Sequence, residues 1–98
     1  MIEVIYIYKR RSKETNFFDK PVEIIDYITN NYGDKLLYSE NNLSEDSLVL
    51  TRSAIWTSLE DFHSFQNDEK IADFRAASRQ HNIENKINVT CKINETKF

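Results

Sequence analysis

Residues 47–62 read S-L-V-L-T-R-S-A-I-W-T-S-L-E-D-F, a strand pattern that passes directly into the start of a helix. The first ten residues carry apolar side chains on both alternating faces, which predicts a strand Ser47–Trp56 in the middle of a sheet. Ser58 is a favourable N-cap, and the acid Asp61 can return a hydrogen bond as a variant of the capping box. This stretch therefore predicts a central strand followed closely by a helix.

Three further strands are expected on either side of this stretch. Ile2–Tyr8 reads I-E-V-I-Y-I-Y and is apolar on both faces, which predicts a second central strand. Lys35–Leu43 is more polar, and Lys86–Asn94 alternates between apolar and polar side chains, as a half-buried edge strand does. The first and third strands are thus expected in the centre, with the second and fourth at the edges.

Two helical regions separate these strands. Asp19 is expected to cap the first helix, with Pro21 in its first turn and Gly33 as the C′ residue that closes it. The second helical region is expected to break at Asn67-Asp68. Its second piece places four side chains on one side: Ile71, Phe74, Arg75 and Ser78.

The order strand-helix-strand-strand-helix-strand is that of a ferredoxin-like α+β sandwich, an antiparallel four-stranded sheet with helices on one face. The two-sided apolar strands occupy the two central positions of that sheet. Their apolar side chains on the face away from the helices would lie in water unless something covers them. We therefore expect a single domain over residues 1–98 that pairs with a second copy as a homodimer.

Composition excludes several classes of protein. The chain has 13 Lys and Arg against 16 Asp and Glu, and a net charge of −3 does not suit a general nucleic-acid binder. One cysteine cannot form an internal disulfide, and one glycine cannot build a phosphate-binding loop. The N-terminal apolar run is too short and too polar for a signal sequence or a membrane span. We expect a cytoplasmic protein that binds neither nucleic acid nor membranes.

Metal ions and cofactors are not expected. The two histidines, His63 and His81, stand 18 residues apart, and the sequence has no His-x-Glu or Cys-x-x-Cys spacing. Cys91 is expected to be a small buried side chain. Any catalysis would therefore depend on side chains alone, without a metal ion or a cofactor.

Residues 50–81, L-T-R-S-A-I-W-T-S-L-E-D-F-H-S-F-Q-N-D-E-K-I-A-D-F-R-A-A-S-R-Q-H, resemble the antibiotic-biosynthesis monooxygenase type of dimeric α/β barrel protein. The shared features are a strand ending in Trp, a Ser-capped short helix with paired Phe residues, and a second helix with F-x-A-A. The resemblance implies that two chains pack sheet to sheet into a barrel. It also implies a cavity between sheet and helices, and cofactor-independent oxygenation of a small phenol or quinol.

Haem degradation, which some members of this family perform, is not expected. Those members use an Asn on the first strand, a Trp at the end of the third strand and a His in the following helix. Trp56 matches this pattern, but Tyr6 or Tyr8 stands at the Asn position, and Ser78 follows the paired alanines where the His belongs. Two of the three positions therefore depart from the pattern.

Tyr6, Arg52 and Trp56 are the candidate substrate-binding residues. Arg52 interrupts the apolar face of a central strand, where a charge needs a partner. That partner is either an acid on a neighbouring strand or across the dimer, or an anionic or phenolic oxygen of a ligand. Trp56 either closes the core or forms a wall of the cavity. Tyr6 and Tyr8 share one face and would line either the core or the cavity.

His63, His81 and Tyr8 are the candidates for acid–base catalysis, because an imidazole titrates near neutrality and a phenol can position or deprotonate a substrate. Both histidines also have structural interpretations, His63 at the rim of its helix and His81 in the dipole of its helix end. Two functions remain open: an oxygenase, or a ligand-binding or structural stress-response module with the same fold. An imidazole that shares a cavity with the tyrosines or Arg52 would favour the enzyme.

Overall fold

The computed structural model describes residues 1–95, which form one four-stranded antiparallel sheet in the order β2-β3-β1-β4. This order, with β1 and β3 in the centre, confirms the ferredoxin-like α+β fold. The elements in chain order are β1 (Ile2–Lys9), α1 (Val22–Tyr32), β2 (Leu36–Leu43), β3 (Val49–Trp56), α2 (Leu59–Asn67), α3 (Glu69–Glu84) and β4 (Asn88–Glu95). None of these helices is long and apolar enough to cross a membrane.

β3 and β4 each begin two residues later than the sequence pattern predicts, because each is preceded by a turn residue in the left-handed region. Ser47 has a φ of 63° and belongs to the turn between β2 and β3. Lys86 has a φ of 56° and ends the connection from α3 to β4. Neither residue is a glycine, so the hydropathy pattern alone did not mark these turns.

The first helix begins and ends differently from the prediction. Its N-cap residue is Pro21 rather than Asp19, and no side chain caps it. Gly33 follows the helix with a φ of −62°, so the left-handed C′ conformation is not used. A Cβ at Gly33 would lie 2.7 Å from the backbone oxygen of Thr29, and this close approach is what favours glycine there.

The predicted break between α2 and α3 is confirmed at Asp68. Ser58 accepts a hydrogen bond from the backbone N–H of Asp61 at 3.1 Å and so caps α2 as expected. The Asp61 carboxylate, however, accepts from the Thr57 hydroxyl. Asp68 ends α2 and caps α3, because its Oδ1 accepts from the Lys70 N–H at 3.1 Å.

The core fills one end of the space between sheet and helices. Trp56 is 3% exposed, and its ring lies 4.8 Å from that of Phe65 and 5.7 Å from that of Phe62. The register pairs Trp56 with Ile2 and with Leu36, so all three side chains meet at this end. The buried core cluster is Ile2, Val4, Ile28, Tyr32, Trp56, Phe62 and Ile71.

A bulge in β2 decides which of its side chains face the helices. Leu36 lies opposite Trp56, but the register shifts by one before Tyr38, which lies opposite Ile55. Because successive side chains alternate between the two faces, one extra residue turns every later side chain to the other face. Asn41 therefore lies opposite Arg52, a position that the unshifted register would have given to Glu40.

Asp68 also joins α1 to the α2–α3 junction. The hydroxyls of Tyr27 and Tyr32 both donate to its Oδ2, at 2.5 and 2.7 Å. These bonds, first the one from Tyr27, hold the pKa of Asp68 below its usual value. Burial, together with the bond to Asp68, raises the pKa of Tyr32 to about 12.

Replacing Asp68→Ala is expected to lower the free energy of unfolding at pH 7 by about 1 kcal/mol or more, because the α3 cap is lost and the two tyrosine hydroxyls lose their shared acceptor. The folded-state pKa of Asp68 is depressed, so its contribution is present above about pH 4 and is lost as the pH falls further. The difference in the free energy of unfolding between the wild type and this variant should therefore become smaller as the pH falls below about 4. Urea unfolding followed by Trp56 fluorescence measures it.

The matched control is Asp26→Ala, which removes an exposed aspartate on the surface of α1. It should leave stability close to that of the wild type at both pH values. If the difference in the free energy of unfolding between the wild type and Asp68→Ala stays constant down to pH 3, the role given to the ionised carboxylate is contradicted.

Candidate functional site

The other end of the space between sheet and helices is a cavity of about 510 Å³. It begins where the packed core ends, so Val4, Ala54 and Trp56 contribute to both. Four strands, three helices and the loop before α1 supply its walls. Six aromatic side chains line it: Tyr6, Tyr8, Trp56, Phe62, Phe65 and Phe74.

Four positively charged side chains also line the cavity: Lys20, Arg52, Arg75 and Arg79. Among the described residues around it there is no aspartate or glutamate. The whole chain has a net charge of −3, so this cluster of positive charges is opposite in sign to the chain as a whole. The single ion pair found within residues 1–95 joins Lys35 and Asp61, away from the cavity.

Arg52 is the most unusual of these cations. It lies on the central strand β3, and its guanidinium carbon is 5.2 Å from the centre of the Tyr8 ring. One Nη atom donates to the backbone oxygen of Phe18 at 3.2 Å. Its Nε is buried, and no group in residues 1–95 accepts a hydrogen bond from it. Of the partners left open for Arg52, an acid on a neighbouring strand is not used within residues 1–95, where the β2 bulge turns Glu40 to the other face.

Tyr6 and Tyr8 stack along β1 with ring centres 6.2 Å apart. Gln66 donates to the Tyr6 hydroxyl at 3.5 Å. Burial, with the neighbouring Cys91, raises the pKa of Tyr6 to about 12, and burial also raises the pKa of Tyr8 although the Arg52 charge opposes the shift. Both phenols are therefore protonated near neutrality, so each hydroxyl can donate a hydrogen bond but is not suited to act as a base.

Cys91 lies beside Tyr6 in the register but is exposed, so the expectation of a buried thiol is wrong. It belongs to the edge strand β4, where every described residue is exposed. The alternation along β4 correctly places Cys91 on the same face as Tyr6. The alternation could not show that the helices leave most of this edge strand uncovered.

The structure brings Tyr6, Tyr8, Arg52 and Trp56 to one cavity but places both histidines outside its lining. His63 is exposed on α2, in an open depression of the surface. His81 lies with its Nε2 2.7 Å from the backbone oxygen of Asn16, and its ring is 5.5 Å from that of Phe18. A catalytic role for either imidazole stays a prediction that this geometry does not favour.

Sequence reasoning missed Lys20, Gln66 and Arg79 as cavity residues. Arg75 and Arg79 stand four residues apart on α3, a spacing that puts both on one side of a helix and could have marked a basic stripe. Lys20 lies in an irregular loop, where no periodicity is available. Within residues 1–95 no group of three or more His, Cys, Asp or Glu side chains is placed to hold a metal ion.

Comparison with known proteins identifies the fold. No protein-family model matches the chain, and a search of curated proteins found no match. Among solved structures, the chain is similar to a "putative antibiotic biosynthesis monooxygenase" from Deinococcus radiodurans, with a TM-score of 0.66, 8% identity, and 100% of this chain and 94% of that chain covered.

Two further structures share the architecture. A hydroxynitrile lyase from Passiflora edulis matches with a TM-score of 0.55 and 16% identity, over 99% of this chain and 96% of that one. A dimeric protein of unknown function and ferredoxin-like fold from Bacteroides fragilis matches with a TM-score of 0.55 and 12% identity, over 97% and 96%. The chain thus has the ferredoxin-like fold of antibiotic-biosynthesis-monooxygenase-like proteins.

Proposed function

We propose that the cavity binds a small, flat aromatic molecule, and that ligand binding is the function of this fold here. The observation that carries the proposal is the lining itself, in which aromatic rings from β1, β3, α2 and α3 surround about 510 Å³. A volume of this size is typical of small-molecule sites, which are mostly apolar with a few convergent polar groups. The hydroxyls of Tyr6 and Tyr8 and the side chain of Arg52 are such groups.

We also propose that two copies pair through the sheet face away from the cavity, which we call the outer face. It carries Ile5, Ile7 and Ile55, which are half-buried within a single chain. A two-fold interface uses the same patch on both partners, so an apolar sheet face can cover itself. The solved structure from Bacteroides fragilis is itself described as dimeric.

Cofactor-independent oxygenation is a second candidate, favoured by the positive charges. Cations around a bound phenol lower its pKa and so favour the electron-rich phenolate that reacts with O₂. For 1-naphthol the balanced reaction consumes one O₂: one oxygen atom enters the ring to give 1,4-naphthoquinone, and the other leaves as water. The substrate supplies all four electrons. In this scheme Arg52 stabilises the phenolate, and Tyr6 and Tyr8 position it.

The binding proposal can be tested with N-phenyl-1-naphthylamine, a neutral aromatic dye. Trp56 is the only tryptophan and lies in the cavity wall, so energy transfer from Trp56 to the dye reports binding, and a pair of variants on α3 locates the site. The variant Ser78→Phe fills the cavity from α3 and should weaken binding by about 10-fold or more. Titration of the dye at constant protein concentration measures the affinity.

The matched control is Ala77→Phe, which adds the same ring at the neighbouring exposed position of α3. It should bind the dye as the wild type does. Circular dichroism establishes that both variants are folded. Equal binding by all three proteins, or no binding by the wild type, would contradict the proposed function.

The proposed dimer predicts that Ile55→Lys separates the two copies, because a charge would be buried between two apolar faces. Size-exclusion chromatography with light scattering should give twice the chain mass for the wild type and one chain mass for this variant. The control Ile25→Lys changes an isoleucine of α1 that is 47% exposed and should remain dimeric. A monomeric wild type would refute the dimer.

The oxygenase candidate predicts uptake of O₂ in a one-to-one ratio with 1,4-naphthoquinone formed from 1-naphthol. An oxygen electrode and mass spectrometry with ¹⁸O₂ measure both quantities. Ser78→Phe should abolish the uptake and Ala77→Phe should retain it. Binding of 1-naphthol without uptake of O₂ would contradict the oxygenase candidate and leave ligand binding as the proposed function.

A further inference from the structure

We infer that the ligand of this cavity is an aromatic carboxylate, with the carboxylate held by Arg52 and the ring held between the aromatic walls. This inference rests on the proposed function and deepens it, because it names the charged group that the aromatic ligand carries. Three features of the cavity carry it: its uncompensated charge, an unpaired donor of Arg52, and a strand bulge that keeps an internal acid away.

The first feature is the charge. Lys20, Arg52, Arg75 and Arg79 line one cavity, and none of the residues described around it is acidic. Like charges that line one cavity repel one another unless an anion offsets them. Burial, and after it the charge of Arg52, holds the pKa of the Lys20 ammonium below its usual value. An anionic ligand would offset this repulsion.

The second feature is the side chain of Arg52. Buried donors in proteins are almost always paired, and an unpaired one is costly. The Nε–H of Arg52 is buried and lacks an acceptor within residues 1–95, although an Nη–H of the same side chain reaches Phe18. A planar guanidinium with free N–H groups matches a carboxylate, which can accept two of them at once.

The third feature is the bulge in β2. In the register that starts at Leu36 and Trp56, Glu40 would lie opposite Arg52 and neutralise it. The extra residue gives this position to Asn41 and turns the Glu40 carboxylate to the outer face, where it accepts from Tyr38 and Asn42. The bulge thus keeps the Glu40 carboxylate away from Arg52, which leaves the position opposite Arg52 free of an internal acid.

The remaining polar groups suit the same ligand. Tyr6 and Tyr8 are protonated near neutrality and line the cavity beside Arg52, so both hydroxyls can donate to carboxylate oxygens. The rings of Trp56 and Phe65 lie at the far side, where an aromatic ring attached to the carboxylate would pack. The positive charge of Arg52 thus lies at one end of the cavity, and the rings of Trp56 and Phe65 lie at the other.

The test compares 2-naphthoate with 2-naphthamide, which has the same shape and no charge. Isothermal titration calorimetry at pH 7.5 should give an affinity for the naphthoate about 10-fold or more above that for the naphthamide, as expected for charge-assisted hydrogen bonds. Raising NaCl from about 20 mM to about 500 mM should reduce this ratio, because salt screens the cations.

Two variants locate the effect. Arg52→Gln removes the proposed anchor, and Asn41→Asp supplies an internal carboxylate opposite Arg52. Both should bring the naphthoate-to-naphthamide affinity ratio close to one. Asn41→Asp should also raise the melting temperature, because it relieves the repulsion between cations. Arg11→Gln, which removes an exposed cation outside the cavity lining, should keep the wild-type ratio.

The outcomes separate this inference from the proposed function. If the wild type binds both compounds equally, or if Arg52→Gln keeps the wild-type ratio while folded by circular dichroism, the carboxylate inference is overturned and aromatic binding stands. If neither compound binds, the inference also fails, and the neutral dye then decides the proposed function by itself. A ratio that follows Arg52 and Asn41 but not Arg11 supports the inference.

Discussion

The organisation of this protein depends on one half-buried charge placed on a central strand. Arg52 lies in the middle of β3 with an Nε–H that no described group accepts, beside Tyr8 and the backbone of Phe18. A guanidinium in such a place cannot be enclosed by apolar packing, because its desolvation would not be compensated. The helices therefore pack tightly against only one end of the sheet. The other end stays open as a cavity.

This division also explains how a chain with 40% hydrophobic residues forms a stable domain. Its core is concentrated around Trp56, where Phe62, Phe65 and Tyr32 contribute rings, and Asp68 ties α1 to the junction of the other two helices. On the outer face of the sheet, Ile5, Ile7 and Ile55 are half-buried within the single chain. These three side chains form the patch through which the proposed dimer would pack.

Much of the fold could be predicted from local pattern, and the errors have specific causes. Alternation identified the central strands, and Ser58 and Asp68 marked helix ends, because these features depend on residues close in sequence. The sequence predicts Gly33 as the residue that closes α1, and the structure shows that close approach to Thr29, not a positive φ, is what favours glycine there. Cys91 was expected to be buried because alternation reports the face of a strand and not whether a helix covers that face.

The sequence by itself determined the order of the elements, the central position of β1 and β3, and the common face of Tyr6, Tyr8, Arg52 and Trp56, because strand periodicity acts over a few residues. Only the tertiary structure decided what surrounds that face. It moved His63 and His81 out of the cavity, brought in Lys20 and Arg79, and turned Glu40 away from Arg52 through a bulge of one residue. These outcomes depend on strand register and helix docking, which arise between segments far apart in the chain.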